Sequence, residues 1–185
     1  IYSDRIVAIA EGNARLAMLA GKVAAETNSI NSIQNATELY ECYYANQIRT
    51  IVDSKSGIAS AGIIAFFQVM RLDNLKCVQP ILDAAGLTEE QFVADLRQFD
   101  KLELVDLRYD KAARISDQSF SNYLIKYVFV DQKVIPLSKM IEEGFFINQE
   151  RTVVACNILL QVFADENVHK YVNCLLYTSP SPRDS

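Results

Sequence analysis

Apolar residues recur at intervals of three and four along most of this chain, so helices are the expected building material. Leu16, Leu19, Ala20 and Val23 set that rhythm and predict an amphipathic helix from Asn13 to about Glu26. The stretch 27–35 is dominated by Asn and Ser and reads as a loop. A second helix is predicted from Ala36 to Asp53, with Leu39, Tyr43, Ile48, Ile51 and Val52 available for packing. Asp53-Ser54-Lys55-Ser56-Gly57 breaks it. An apolar helix then runs from Gly57 to Arg71, and a shorter one from Leu75 to Ala85 is closed by Gly86. Thr88-Glu89-Glu90-Gln91 forms a capping box that opens a third, with Phe92, Leu96 and Phe99 as its core stripe.

After Lys101 the period shortens to two. Val105, Leu107 and Tyr109 alternate with Asp106 and Arg108 as in a half-buried strand, Asp110-Lys111 can turn, and Ala113 and Ile115 supply a return strand. Three helices followed by a hairpin is the order of a winged helix. Ser116 then caps a helix carrying Phe120, Tyr123, Leu124, Tyr127 and Val128. Pro136 opens another to about Glu143, and a last helix spans roughly Glu150 to Tyr171. The expected fold class is mainly α: a helical lid, a winged helix of three helices plus a β-hairpin, and further helices.

Composition narrows the chemistry. Half of the 185 residues are hydrophobic, enough to bury a core. A net charge of -5 argues against a nucleic-acid backbone or an anionic membrane as the main partner, since both need basic patches. Cys42, Cys77, Cys156 and Cys174 are scattered without a CxxC, and His169 is the single histidine, so a zinc or haem site is not expected. Unpaired cysteines fit a reducing cytoplasm. The longest apolar run, Gly57 to Phe67, stops short of the ~20 residues a bilayer needs, and no signal peptide is visible.

Catalytic motifs are missing. GxxxxGK[ST], GxSxG and HExxH do not occur. Glu89/Glu90 and Glu142/Glu143 fit capping or solvated faces better than acid-base work, which needs an apolar cleft. The chain alone is not expected to be an enzyme. The cysteines other than Cys174 fall on apolar stretches and read as small buried hydrophobes. Tyr40, Tyr43 and Tyr44 read as packing residues, and Phe145-Phe146 as a plug between helices.

One constellation stands apart. Gly12 suits the left-handed cap that ends a helix, Asn13 is a preferred N-cap for the next, and Arg15 falls in that helix's first turn. A cation there is disfavoured by a few tenths of a kcal/mol, so solvation is the simple reading, while an anionic ligand would give the arginine a purpose.

Gly12-Asn13-Ala14-Arg15-Leu16-Ala17 resembles the lid-domain motif of AAA+ and STAND P-loop ATPases: Gly, a polar residue, often Pro, then Arg and a small-apolar helix. The resemblance implies that Arg15 is the sensor of the nucleotide's terminal phosphates. Ala14 stands where STAND members place a Pro against the adenine, so adenine contact from this position is not implied. The order of lid, winged helix and further helices also fits. Ile115-Ser116-Asp117-Gln118-Ser119-Phe120 with Tyr123 is similar to the segment immediately after the winged helix in some prokaryotic STAND ATPases.

The resemblance implies a helical lid at 1–54, a winged helix at 55–116, and a helical segment at 117–173 leading toward a sensor or repeat region. Its P-loop domain would lie upstream of a chain that opens at Ile1 without a Met. ATP or ADP would be held only by the full-length parent, through Gly12, Asn13, Ala14 and Arg15 together with that domain, and this piece alone is expected to bind none. The expected partners are that domain and other proteins or copies of the parent. Residues 174–185 resemble a translated transposon-end sequencing adapter and are expected to be foreign to the fold.

Nucleic acid is not an expected partner, because Glu89, Glu90, Asp95 and Asp100 outnumber Arg97 and Lys101 on the third helix. The wing contributes Arg108, Lys111 and Arg114. Two further readings share the pattern: the C-terminal part of an origin-recognition-like AAA+ DNA-binding protein, and a free-standing winged-helix adaptor.

Overall fold

The computed structural model describes residues 3–10, 14–27, 30, 33–52, 55–163, 169–170 and 172–174. They are mainly helical, with one small antiparallel sheet. The chain divides into two units, residues 1–50 and 51–185.

In the first unit, α1 (Ser3–Ala10) packs on α2 (Ala14–Thr27). Leu16, Leu19, Ala20, Val23 and Ala24 are the buried stripe of α2, as helical spacing requires. Next comes α3 (Ala36–Val52), whose last turn crosses the division between the units. Its start is fixed by a reciprocal cap: Asn35 Oδ1 accepts from the Glu38 N–H at 3.0 Å, and the Glu38 carboxylate accepts from the Gln34 N–H at 2.7 Å. Tyr40 and Tyr44 are fully buried, and Tyr43 stands edge-on to Tyr44 at 4.8 Å. The three tyrosines therefore pack.

The second unit is built around α4 (Lys55–Phe67), which is buried on every side from Ala59 to Phe67. A helix apolar all round must be enclosed. The partners of α4 are α6 (Glu89–Lys101), α7 (Gln118–Lys126), α8 (Leu137–Gln161) and strand β3 (Ala112–Ile115). Gly62 permits the closest approach: a Cβ there would sit 2.5 Å from Val128 Cγ1, in the π-helical turn Tyr127–Asp131.

The apolar run does not stay helical to Arg71. Gln68 takes φ 68°, a left-handed residue that ends α4, and Val69–Arg71 form strand β1. The sheet order is β1-β3-β2, with β2 at Val105–Arg108. Met70 pairs with Ala113 and Leu107 pairs with Ala113 from the other side, both antiparallel. Between β1 and the hairpin lie a 3-10 turn (Leu75–Val78), α5 (Gln79–Ala85) and α6. Gly86 closes α5 at φ 68°, with the Leu87 N–H reaching back to the Leu82 carbonyl. Thr88 and Gln91 form the predicted capping box. Helix, strand, two helices and a hairpin that pairs back on the first strand make a winged helix.

The cap of α7 differs from expectation. Asp117, not Ser116, caps α7, accepting from the Ser119 and Phe120 N–H groups, while the Ser116 hydroxyl donates to Asp106. Beyond α7, residues 137–161 run as α8 with one non-helical residue, Asn148 (φ -158°, ψ 90°), so its two halves are separate helices.

Candidate functional site

The first turn of α2 holds no acidic residue, and Ala14 and Arg15 are exposed there. An exposed guanidinium at the positive end of a 14-residue helix is chemically able to meet an anion. Gly12 and Asn13, the other two members of the predicted constellation, lie outside the described residues.

The surface of α6 differs from the sequence count. Asp95 faces α4, where it accepts from the Ser60 hydroxyl at 2.7 Å and from Ser56 at 3.4 Å. Asp100 accepts from the Leu107 N–H at 2.9 Å and ties α6 to β2. Of the four acids counted against groove binding, Asp95 is thus turned toward the interior, whereas Asp100 keeps its carboxylate exposed. Glu89, Glu90, Gln91, Ala94, Arg97, Gln98, Asp100 and Lys101 remain outward.

Some of the cations nearby are paired, while Lys101, Arg108 and Lys111 are exposed and in no ion pair among the described residues. Arg97 pairs with Asp110 at 3.4 Å, Arg114 with Asp106 at 2.8 Å and Arg71 with Asp73 at 2.8 Å. Arg114 and Ser116 together hold the Asp106 carboxyl below the usual carboxylate range, and Arg71 does the same for Asp73. At the wing tip Tyr109 and Asp110 both have positive φ, 53° and 52°, and Tyr109 is 94% exposed. The helix and wing form a nearly neutral face carrying one projecting aromatic ring.

Elsewhere the candidate groups are structural. Glu143 pairs with Lys139 at 2.6 Å, which raises the lysine's pKa. Cys42 and Cys77 are exposed, contrary to the expectation of burial, because their helices turn those positions to solvent. Cys156 is buried as expected, and burial pushes its thiol up to about 11. Phe146 is 79% exposed and plugs no seam, while Phe145 is half-buried. His169 meets the Leu160 carbonyl at 2.6 Å. Among the described residues no cluster of His, Cys, Asp and Glu could hold a metal ion, and no helix is long and apolar enough to cross a membrane.

Sequence reasoning passed over two features of the second unit. A cavity of about 430 Å³ opens beside β1, lined by Phe67, Met70, Arg71, Asn74, Cys77 and Asn148 among others. Arg151, only 8% exposed, sends its guanidinium to the Ala65 carbonyl of α4. Neither has a linear motif, since each is assembled from residues far apart in the chain. No protein-family model matches the chain, and no curated protein or solved structure was found to be similar to it.

Proposed function

We propose that this chain is a regulatory piece of a STAND-type signal-transduction ATPase. It contributes the nucleotide-sensing lid and a winged helix that packs against protein. Arg15 is the phosphate-facing residue of the lid, and a P-loop domain outside these 185 residues supplies the rest of the ATP or ADP site. The observation that carries the protein-packing half is the near-neutral α6–wing face, whose arginines 97 and 114 are already matched by Asp110 and Asp106. Nucleic-acid affinity comes from cations that neutralise phosphates and release their counterions, and here the unmatched Lys101, Arg108 and Lys111 share the face with exposed Glu89, Glu90 and Asp100. The lid half rests on the exposed Arg15 in an acid-free first turn of α2.

The test belongs in the parent protein. Arg15→Ala is expected to impair ATP turnover or nucleotide-dependent activation while circular dichroism stays unchanged. Unaltered turnover and activation in that variant returns Arg15 to an ordinary solvated arginine. A parent gene lacking GxxxxGK[ST] sinks the ATPase assignment and leaves the adaptor.

The inward turn of Asp95 and the exposed Lys101, Arg108 and Lys111 favour a second reading, in which the winged helix docks on duplex DNA as in origin-recognition-like proteins. Fluorescence anisotropy with a labelled duplex separates the two. Binding that weakens log-linearly with salt supports the DNA reading, and flat titrations at low salt support protein packing.

A further inference from the structure

Asn148 interrupts α8 at a single residue, and the interruption is held by a cap, a buried arginine and the packing of the second half. Its Oδ1 accepts from the Arg151 N–H at 3.0 Å, so it serves as the N-cap of residues 149–161. The Thr152 hydroxyl donates to the Asn148 carbonyl at 3.0 Å. A Cβ on Gly144 would lie 2.6 Å from Thr152 Oγ1. In an unbroken helix those positions stand ~12 Å apart along the axis, so the two halves fold sharply against one another.

The bend has evident costs. Arg151 is buried with one hydrogen bond from its guanidinium, 3.3 Å to Ala65 O, and its Nε meets no partner. No carboxylate pairs with it among the described residues. Phe146, two residues before the bend, projects into solvent. Against these costs, a right-handed helical setting at Asn148 alone would restore the backbone ladder across the break. A tertiary clamp and one capping side chain therefore oppose local helix continuity.

We propose that α8 is a two-state element: bent at Asn148 while Arg151 grips Ala65, and a continuous rod when that grip opens. The transition swings residues 149–161 away from α4 and uncovers Thr152, Ala155, Cys156 and Leu159, all buried in the bent form. The bent form also supplies Ile147 and Asn148 to the wall of the cavity beside β1, so cavity shape and helix state change together.

Spin labels at Glu142→Cys and Asn157→Cys, both exposed positions, report the state in a protein otherwise stripped of cysteines. A continuous helix sets them ~22 Å apart along its axis, and the bent form sets them closer. Asn148→Ala removes the cap and installs the best helix former, which is expected to raise the long-distance population about tenfold with helicity preserved. Asn148→Asp keeps a capping oxygen and is expected to stay near the wild-type distribution. In a separate protein with Cys156 as its sole thiol, maleimide labelling should accelerate about tenfold in Asn148→Ala. A single short distance and unchanged labelling in Asn148→Ala overturn the proposal. So does a long distance that appears only with loss of helical circular dichroism, because that is unfolding.

Discussion

Arg151 caps α4 from another helix: its guanidinium donates to the carbonyl of Ala65, which also accepts the Ser121 hydroxyl at 3.2 Å. Ala65 lies in the last turn of α4, where carbonyls have no partner further along the helix and the helix dipole is negative. The cation is therefore placed where a helix end can receive it, although burial lowers its pKa. Ser121 and Arg151 bind α7 and α8 to one carbonyl of the central helix.

Truncating Arg151 should therefore be costly. Arg151→Ala is expected to lower unfolding stability by about 2–3 kcal/mol, from lost stem packing and a weakened carbonyl. Arg151→Met keeps the apolar stem and removes the charge's desolvation, so its loss should be closer to ~1 kcal/mol. Urea unfolding of the two variants gives the comparison, and equal losses contradict the account.

Gly62 and Val128 make the second prediction. Gly62→Ala drives a methyl into Val128 and should destabilise by about 1–3 kcal/mol. Val128→Ala opens a void of its own, yet the double variant should recover part of the Gly62→Ala loss. A double-mutant cycle with no coupling contradicts the contact.

These two sites also mark how far the sequence could be read. Helical spacing disclosed the buried stripes of α2 and α6, and the capping box at Thr88 and the alternation after Lys101 disclosed where α6 begins and where the hairpin lies. The strand β1 was hidden because Phe66, Phe67, Val69 and Met70 extend an apolar run that is equally good helix. Only pairing with β3 decides the matter, and that is a tertiary fact. The same limit applies to charge. Asp95 looks like a surface acid in a linear count, but its helical phase turns it toward Ser60. Of the nucleotide-site constellation, Arg15 is seen at the start of its helix as the spacing requires, while the chemistry proposed for it depends on residues outside this chain.

Acid should weaken the wing in a defined direction. The folded-state pKa of Asp106 lies below its ordinary value, chiefly through Arg114 and then Ser116. Its contribution to stability is therefore present above the unfolded carboxylate pKa and lost as pH falls through the lower, folded value. Asp106 is partly exposed and its partner Arg114 more so, which keeps the effect small. Asp106→Asn should lower stability slightly at about pH 7 and flatten the fall in acid. Chemical unfolding at about pH 7 and about pH 3 reads both, and an unchanged difference between them counts against the assignment.

The wing turn offers a gain rather than a loss. Tyr109 and Asp110 both occupy positive-φ positions, with the Lys111 N–H closing on the Arg108 carbonyl. Asn-Gly is the preferred pair for such a turn, and changing Tyr109→Asn with Asp110→Gly should raise stability by about 1 kcal/mol. The Arg97–Asp110 pair lost in the exchange is exposed and contributes little. A lower melting temperature in the double variant runs against this reading.

The short first strand has a consequence for how copies of this protein meet. The Leu72 N–H donates to the Lys111 carbonyl across the ladder, so Val69 and Arg71 turn their backbone polar groups toward the sheet's open side. An open side of that kind is a template for sheet growth between molecules. Here it lasts only from Val69 to Arg71, begins at a left-handed Gln68 and ends in a charged side chain. Two such edges cannot find a long common register, and the domain is guarded against stacking into fibrils by the brevity of the strand that completes its sheet.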